Sequence, residues 1–174
     1  AEMVTTGNIT TIGQNSFYET FANADKMTKG PDFSNITTIG DYGLCDCFNM
    51  SGLTTPPDLS SLTSIGAGGM ANCFVNCVSL LSPPDLSNLT TVGSSGMESC
   101  FLNCVSLTTA PDLSSLTSIG EYGLSACFNS CSSLTVGPDL SGLTSISDYG
   151  LLGCFAGCDS LTTPANLSNV TTIG

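Results

Sequence analysis

The sequence predicts an α/β solenoid, a stack of about six rungs of 27 residues each, on three observations. The first is a phrase close to LTSIG that returns seven times, ending at Gly13, Gly40, Gly66, Gly93, Gly120, Ser147 and Gly174, in steps of 27, 26, 27, 27, 27 and 27 residues. A fixed period in this range marks one supersecondary unit stacked on itself, each copy burying its apolar face only against its neighbours. The second is a Pro-Asp corner at the same place in five rungs, with proline at 31, 57, 84, 111 and 138. The third is a short apolar pattern of helical spacing in every copy. The period places an N-terminal partial or capping segment at residues 1–13 and a six-rung solenoid at 14–174, its last rung open-ended.

The copy from Ile119 to Ile146 shows the expected elements in order. Leu124, Cys127, Phe128 and Cys131 fall at i, i+3, i+4 and i+7, with Glu121 where an acid suits a helix N-terminus, so a short helix of two to three turns is predicted. A short strand is expected before the corner, as at Leu107-Thr108-Thr109, forming a parallel ladder. A weaker extended segment is expected after it, as at Leu116-Thr117-Ser118-Ile119, because β-branched residues gather in both places. The corner between them is a turn in which the Asp side chain accepts from backbone N–H groups just downstream.

Composition narrows the class of partner. The chain has 174 residues, no His, two Lys or Arg residues (Lys26 and Lys29), fourteen acids and a net charge of -12. Nucleic acid is bound by cations that displace counterions from phosphates, and two lysines do not supply that. Anionic membrane surfaces are disfavoured on the same ground. The longest apolar stretch, near Leu151 to Ala156, is far below the roughly 18 to 20 residues of a membrane span, so no insertion is expected. The Ala-Glu start, with no initiator Met and no apolar leader, fits either a mature secreted protein or an excised fragment.

The string LTSIGEYGLSACFNSCSSLT, residues 116–135, resembles the BspA-like leucine-rich repeats of cell-surface proteins, whose rungs read LTSIG, an acid, an aromatic, a small and an apolar residue, then Cys, then SSL. The resemblance runs from Gly13 to Gly174. It departs from the family pattern by four extra residues per rung, the Cys-Phe-x-x-Cys element. It implies a right-handed leucine-rich-repeat solenoid at the cell surface or outside the cell, engaged in adhesion, and it carries no catalytic residues, cofactor or metal.

Ten cysteines are distributed as none in the first rung and two in each of the others. Pairing within rungs would join Cys73 to Cys77, Cys100 to Cys104, Cys127 to Cys131 and Cys154 to Cys158, with Cys45 and Cys47 as a strained fifth. In a regular helix, residues four apart place their Cβ atoms beyond the preferred disulfide distance of about 3.8 Å, which argues against pairing. Reduced cysteines serving as small core residues are the equal alternative. Zigzags between rungs, such as Cys77 to Cys100, would orphan Cys158. Zinc fits poorly, since a structural site needs four converging ligands and these pairs are spread evenly.

Stacking turns each repeat position into a column. Thr10, Thr37, Thr63, Thr90, Thr117, Thr144 and Thr171 never vary and are each followed by Thr or Ser. They form either a regular binding face for carbohydrate or ice, or a hydrogen-bonded ladder along the stack. Asp32, Asp58, Asp85, Asp112 and Asp139, ended by Asn166, are either turn caps or a row of Ca²⁺ ligands, and capping explains each one locally. Asn8, Asn35, Asn49, Asn88, Asn166 and Asn169 stand in Asn-x-Ser/Thr acceptors for glycans, although Asn also alternates with Ser61, Ser115 and Gly142 as a turn residue.

No general base, nucleophile elbow or unique polar constellation interrupts the repetition, so no enzymatic activity is expected. The sequence reading is a cysteine-rich, extracellular, non-enzymatic module that binds a protein or glycan. The alternative is a structural protein whose copies stack end to end into a filament or fibril, because the last copy stops in mid-rung at Gly174 with no polar cap.

Overall fold

A computed structural model describes residues 8–174; the first seven residues of the expected N-terminal segment lie outside this range. Seven two-residue strands recur at the repeat period: β1 (Thr11–Ile12), β2 (Thr38–Ile39), β3 (Ser64–Ile65), β4 (Thr91–Val92), β5 (Ser118–Ile119), β6 (Ser145–Ile146) and β7 (Thr172–Ile173). β1 to β5 form one parallel sheet in chain order, and β6 pairs with β7 in a second. Register joins like to like, Thr11 to Thr38 and Ile12 to Ile39, then onward in the same manner. The Ile or Val of β1 to β6 points into the core, and its Thr or Ser neighbour faces outward, the period-two alternation of a half-buried strand.

The ladder is therefore on the far side of the corner from the place the sequence suggested. The segment before the corner makes only isolated bridges, such as Lys29 with Thr55 and Thr109 with Val136. Thr-Ile-Gly wins because its glycine lets adjacent rungs touch. The N–H of Gly40, Gly66, Gly93, Gly120 and Gly174 donates to the Ile or Val carbonyl of the rung before, at 2.7–2.9 Å. A Cβ added at Gly93 would lie 2.8 Å from the carbonyl carbon of Gly66.

The expected helix is absent: no helix occurs among the described residues. Residues 14–23, 41–50, 67–76, 94–103, 121–130 and 148–157 form a ribbon of overlapping turns instead. In the second rung the N–H groups of Tyr42, Leu44, Asp46, Phe48 and Met50 donate to carbonyls of Ala67, Gly69, Ala71, Cys73 and Val75 in the next rung, at 2.8–2.9 Å. The residues between them close turns within the rung, as from Cys47 to Leu44 and from Ser51 to Phe48. Every fourth residue, here Tyr42, Asp46 and Met50, is left-handed, with φ of 53–56°.

Spacing explains the substitution of a ribbon for a helix. An α-helix is about 10–12 Å across and spends its backbone bonds on itself, whereas parallel strands on the other wall sit about 4.8 Å apart. The ribbon is one strand thick and hydrogen-bonds along the stack, so both walls advance at a common step. The phenylalanines record that step: Phe21, Phe48, Phe74, Phe101, Phe128 and Phe155 stack with centroids 5.2–5.8 Å apart and rings within 9° of parallel. A four-residue period also keeps the inward residues at i, i+3, i+4 and i+7. Leu124, Cys127, Phe128 and Cys131 are thus buried as the sequence pattern requires, on a different backbone.

All ten cysteines are buried free thiols in this structure. Cys47, Cys73, Cys100, Cys127 and Cys154 line one inner column and Cys77, Cys104, Cys131 and Cys158 a second, headed by Ser51. In the second column each Sγ donates to a phenylalanine carbonyl of the preceding rung: Cys77 to Phe48, Cys104 to Phe74, Cys131 to Phe101 and Cys158 to Phe128, at 3.0–3.1 Å. Burial pushes the thiols of Cys47, Cys131 and Cys154 up to about 12, and those of Cys73, Cys100, Cys104 and Cys127 well above 9.0.

Two measurements check this architecture. Ala126 is left-handed, with φ of 50°, so Ala126→Gly is expected to stabilise the protein by about 1 kcal/mol. In a helix the same change costs about 1 kcal/mol, and a loss of stability in urea unfolding would reject the ribbon. The thiols make a second prediction. Their folded pKa is raised, so the stability they contribute is complete below the unfolded value of 9.0 and is lost as pH climbs beyond it, where only the unfolded chain ionises. Each fully buried thiol steepens the alkaline decline by up to about 1.4 kcal/mol per pH unit. Urea melts between neutral and strongly alkaline pH, with and without reductant, read this slope; cystine in place of thiols would flatten it.

Candidate functional site

The columns that carry polar groups lie on two adjoining walls. From Ser34 to Gly40, and at the equivalent places in every other rung, the chain reads Ser or Gly, then Asn, Ser or Gly, an apolar residue, Thr, Thr or Ser, an apolar residue, and Gly or Ser. Not one of these positions holds a charged residue, although the chain carries -12. All fourteen acids and both lysines lie elsewhere in the rung.

On this wall the predicted threonine column is real and longitudinally bonded. The hydroxyls of Thr37, Thr63, Thr90 and Thr117 donate to the carbonyls of Thr10, Thr37, Thr63 and Thr90 at 2.9–3.2 Å, and Thr171 donates to Thr144. Each of these hydroxyl protons is thereby committed, leaving the oxygen's acceptor capacity for a further partner. Thr54, Thr108, Thr135 and Thr162 form a shorter ladder of the same kind before the corner.

Four of the six asparagines of the glycan acceptors are used as donors. Asn88 and Asn169 give their side-chain N–H to the carbonyls of Ser60 and Ser141, at 2.8 and 2.7 Å. Asn166 donates to Asp139, and Asn49 donates to Asp46 while its own Oδ1 is buried without a partner. Asn35 and Asn8 are both exposed.

The aspartate column sits at the corner and closes turns. Oδ1 of Asp32, Asp58, Asp85, Asp112 and Asp139 accepts the N–H of Ser34, Ser60, Ser87, Ser114 and Ser141, at 2.9–3.0 Å, and Asn166 does the same for Ser168. Hydrogen bonds from Ser34, Ser87 and Ser141 hold the carboxyls of Asp32, Asp85 and Asp139 below the usual range. These corners line two shallow grooves, one of about 580 Å³ along Pro31, Pro57 and Pro84 and one of about 350 Å³ along Pro111 and Pro138. Among the described residues no three His, Cys, Asp or Glu side chains converge as a metal cluster would require.

One feature escaped the sequence reading. Tyr42, Tyr122 and Tyr149 share a left-handed position at the start of the ribbon, each preceded by an acid. The rings of Tyr122 and Tyr149 stack 4.8 Å apart and 8° from parallel, and the ring of Tyr42 lies over Gly68. The acid-aromatic pair was visible in the repeat, but its meaning depends on stacking of neighbouring copies, and Gly68 and Ser95 interrupt the column between Tyr42 and Tyr122.

Comparison with known proteins agrees with this geometry. Six copies of the BspA type leucine rich repeat region match residues 1–96 and 37–174. The crystal structure of the T. pallidum Leucine Rich Repeat protein (TpLRR) superposes with a TM-score of 0.63 at 21% identity, covering 99% of this chain and 72% of that one. A leucine rich cell surface protein from Faecalibacterium prausnitzii is 23% identical over 80% of this chain and 31% of its own, with a TM-score of 0.48. No curated protein is significantly similar in sequence. With a parallel ladder that repeats every 27 residues and family repeats along its whole length, this chain belongs to the BspA type leucine rich repeat family.

Proposed function

We propose that this chain is a non-enzymatic module of the cell surface or extracellular space that engages an uncharged glycan through its hydroxyl wall. The observation that carries the reading is the wall itself: seven copies of a phrase rich in Ser, Thr and Asn with no charge, on a chain of -12. A protein partner would need apolar or aromatic anchors, and the exposed large apolar side chains lie elsewhere: Tyr18, Tyr42, Met50, Val78, Leu81, Val136, Tyr149 and Leu152. Ile9 and Ile173 are the exceptions, and each belongs to an end rung. Family membership supports the surface location.

The wall is preorganised, because the bonds from Thr37, Thr63, Thr90, Thr117 and Thr171 to the preceding rung have already fixed the rotors that a ligand would otherwise have to order. Each rung offers little alone. Affinity comes from many rungs meeting many sugar units, so it grows with the length of the glycan.

Sedimentation of the protein with insoluble β-glucan, chitin and mannan tests the reading, with a sulfated polysaccharide as the charged comparison. Binding to at least one neutral polymer is expected, with little dependence on salt, since no ion pair is involved. The triple substitution Thr63→Lys, Thr90→Lys and Thr117→Lys is expected to weaken it at least about tenfold through uncompensated buried charge, while Asp85→Asn with Asp112→Asn at the corner leaves it intact. Failure to bind any neutral polymer, or loss only in the corner variant, rejects the proposal.

A further inference from the structure

The parallel ladder stops once, between β5 and β6, although the chain there continues at the regular period. At every other step the threonine N–H and the glycine N–H cross to the rung before, as from Thr117 to Thr90 and from Gly120 to Val92. At this step neither bond forms, and the Thr144 hydroxyl does not make the bond to Thr117 that its equivalents make.

The cause is one residue. Ser147 stands where the other six copies have glycine. A Cβ at this column runs into the preceding rung: at Gly120 it would lie 2.7 Å from the carbonyl carbon of Gly93, and at Gly174 2.8 Å from the N of Asp148. The real Cβ of Ser147 therefore holds its rung off, and its hydroxyl donates to the Ile119 carbonyl at 2.7 Å in place of the missing amide. A compensating change sits five residues earlier. Gly142 replaces the Asn or Ser of other rungs and presses in so closely that a Cβ would be 2.5 Å from the carbonyl oxygens of Ser114 and Leu116. The rung is drawn in at 142 and held out at 147.

The opposite wall is untouched. Across the same step the ribbon makes all five of its bonds, from Tyr122, Leu124, Ala126, Phe128 and Ser130 to Asp148, Gly150, Leu152, Cys154 and Ala156, at 2.7–3.1 Å. The corner beyond is bridged as well, Val136 to Thr163 and Asp139 to Asn166. We propose that the β5–β6 step is a hinge built into the solenoid, open on the sheet wall and closed along the ribbon, about which the rung of β6 and β7 swings relative to the five-stranded body. It divides the hydroxyl wall into a run from Thr10 to Thr117 and a pair, Thr144 and Thr171, whose relative angle adjusts to a long ligand. The hinge itself does not depend on what that ligand is.

Native-state amide exchange of the full chain tests it without any ligand. The amides of Thr144 and Ser147 are expected to exchange at least about tenfold faster than those of Thr117 and Gly120. Ser147→Gly is expected to close the ladder and protect both amides to the level of their equivalents, while Ser147→Ala, which keeps the Cβ and removes the hydroxyl, leaves them unprotected. The reverse change, Gly120→Ser, is expected to open a second gap at the β4–β5 step. Equal protection at the two steps in the unaltered chain, or no gain in Ser147→Gly together with no loss in Gly120→Ser, overturns the hinge.

Discussion

The distance between rungs governs everything else in this molecule. Two walls of a stack can hydrogen-bond continuously only if both advance by the spacing of parallel strands, about 4.8 Å. A rung is thereby obliged to be one chain thick all the way around. The ribbon of turns, the co-facial phenylalanines and the glycine column are three answers to that single demand. Where the demand is not met, at Ser147, the ladder parts.

The same spacing decides how polar groups are satisfied. A side chain in a column finds its nearest partner directly below it, so Thr, Asn and Cys bond along the stack rather than across it. A net gain of about 1 kcal/mol for each such bond is modest, but it recurs at every rung and adds to the neighbour term that holds a repeat array together. Stability and surface thus come from the same atoms: the bond that ties Thr63 to Thr37 also fixes the hydroxyl that faces solvent.

Much of this was legible from residues 116–146 alone: the period, the inward Leu124, Cys127, Phe128 and Cys131, the Asp turn and the outward threonines. The backbone joining the inward residues was not, because periods of 3.6 and 4 residues coincide over a ten-residue segment. A contrary signal was present. Asn15, Asn23, Asn72, Asn76, Asn103, Gly68, Gly153 and Gly157 occupy left-handed positions four residues apart, and such residues are poor in helix interiors. Their spacing, set against the apolar one, distinguishes a turn ribbon from a helix. The choice of strand was obscured for another reason: Leu-Thr-Thr and Thr-Ser-Ile carry equal β propensity, and only the adjoining Gly allows the close approach that makes a ladder.

The departures from repetition carry the individuality of the chain, and Ser51 shows how a departure is absorbed. It occupies the head of the second cysteine column, where its oxygen lies 3.4 Å from the Sγ of Cys77, which itself donates to the Phe48 carbonyl. That carbonyl already accepts the backbone N–H of Ser51. A thiol suits such a place because it is a weak donor in a buried site, so a long and shared bond suffices and an imperfect one costs little. A hydroxyl buried at every rung would have to be fully satisfied or would destabilise the stack. One serine is tolerated at the end of the column, where it has a single sulfur neighbour. The cysteine content follows from this: these residues fill core volume in columns of their own while making the least demand on a backbone whose hydrogen bonds are committed along the axis.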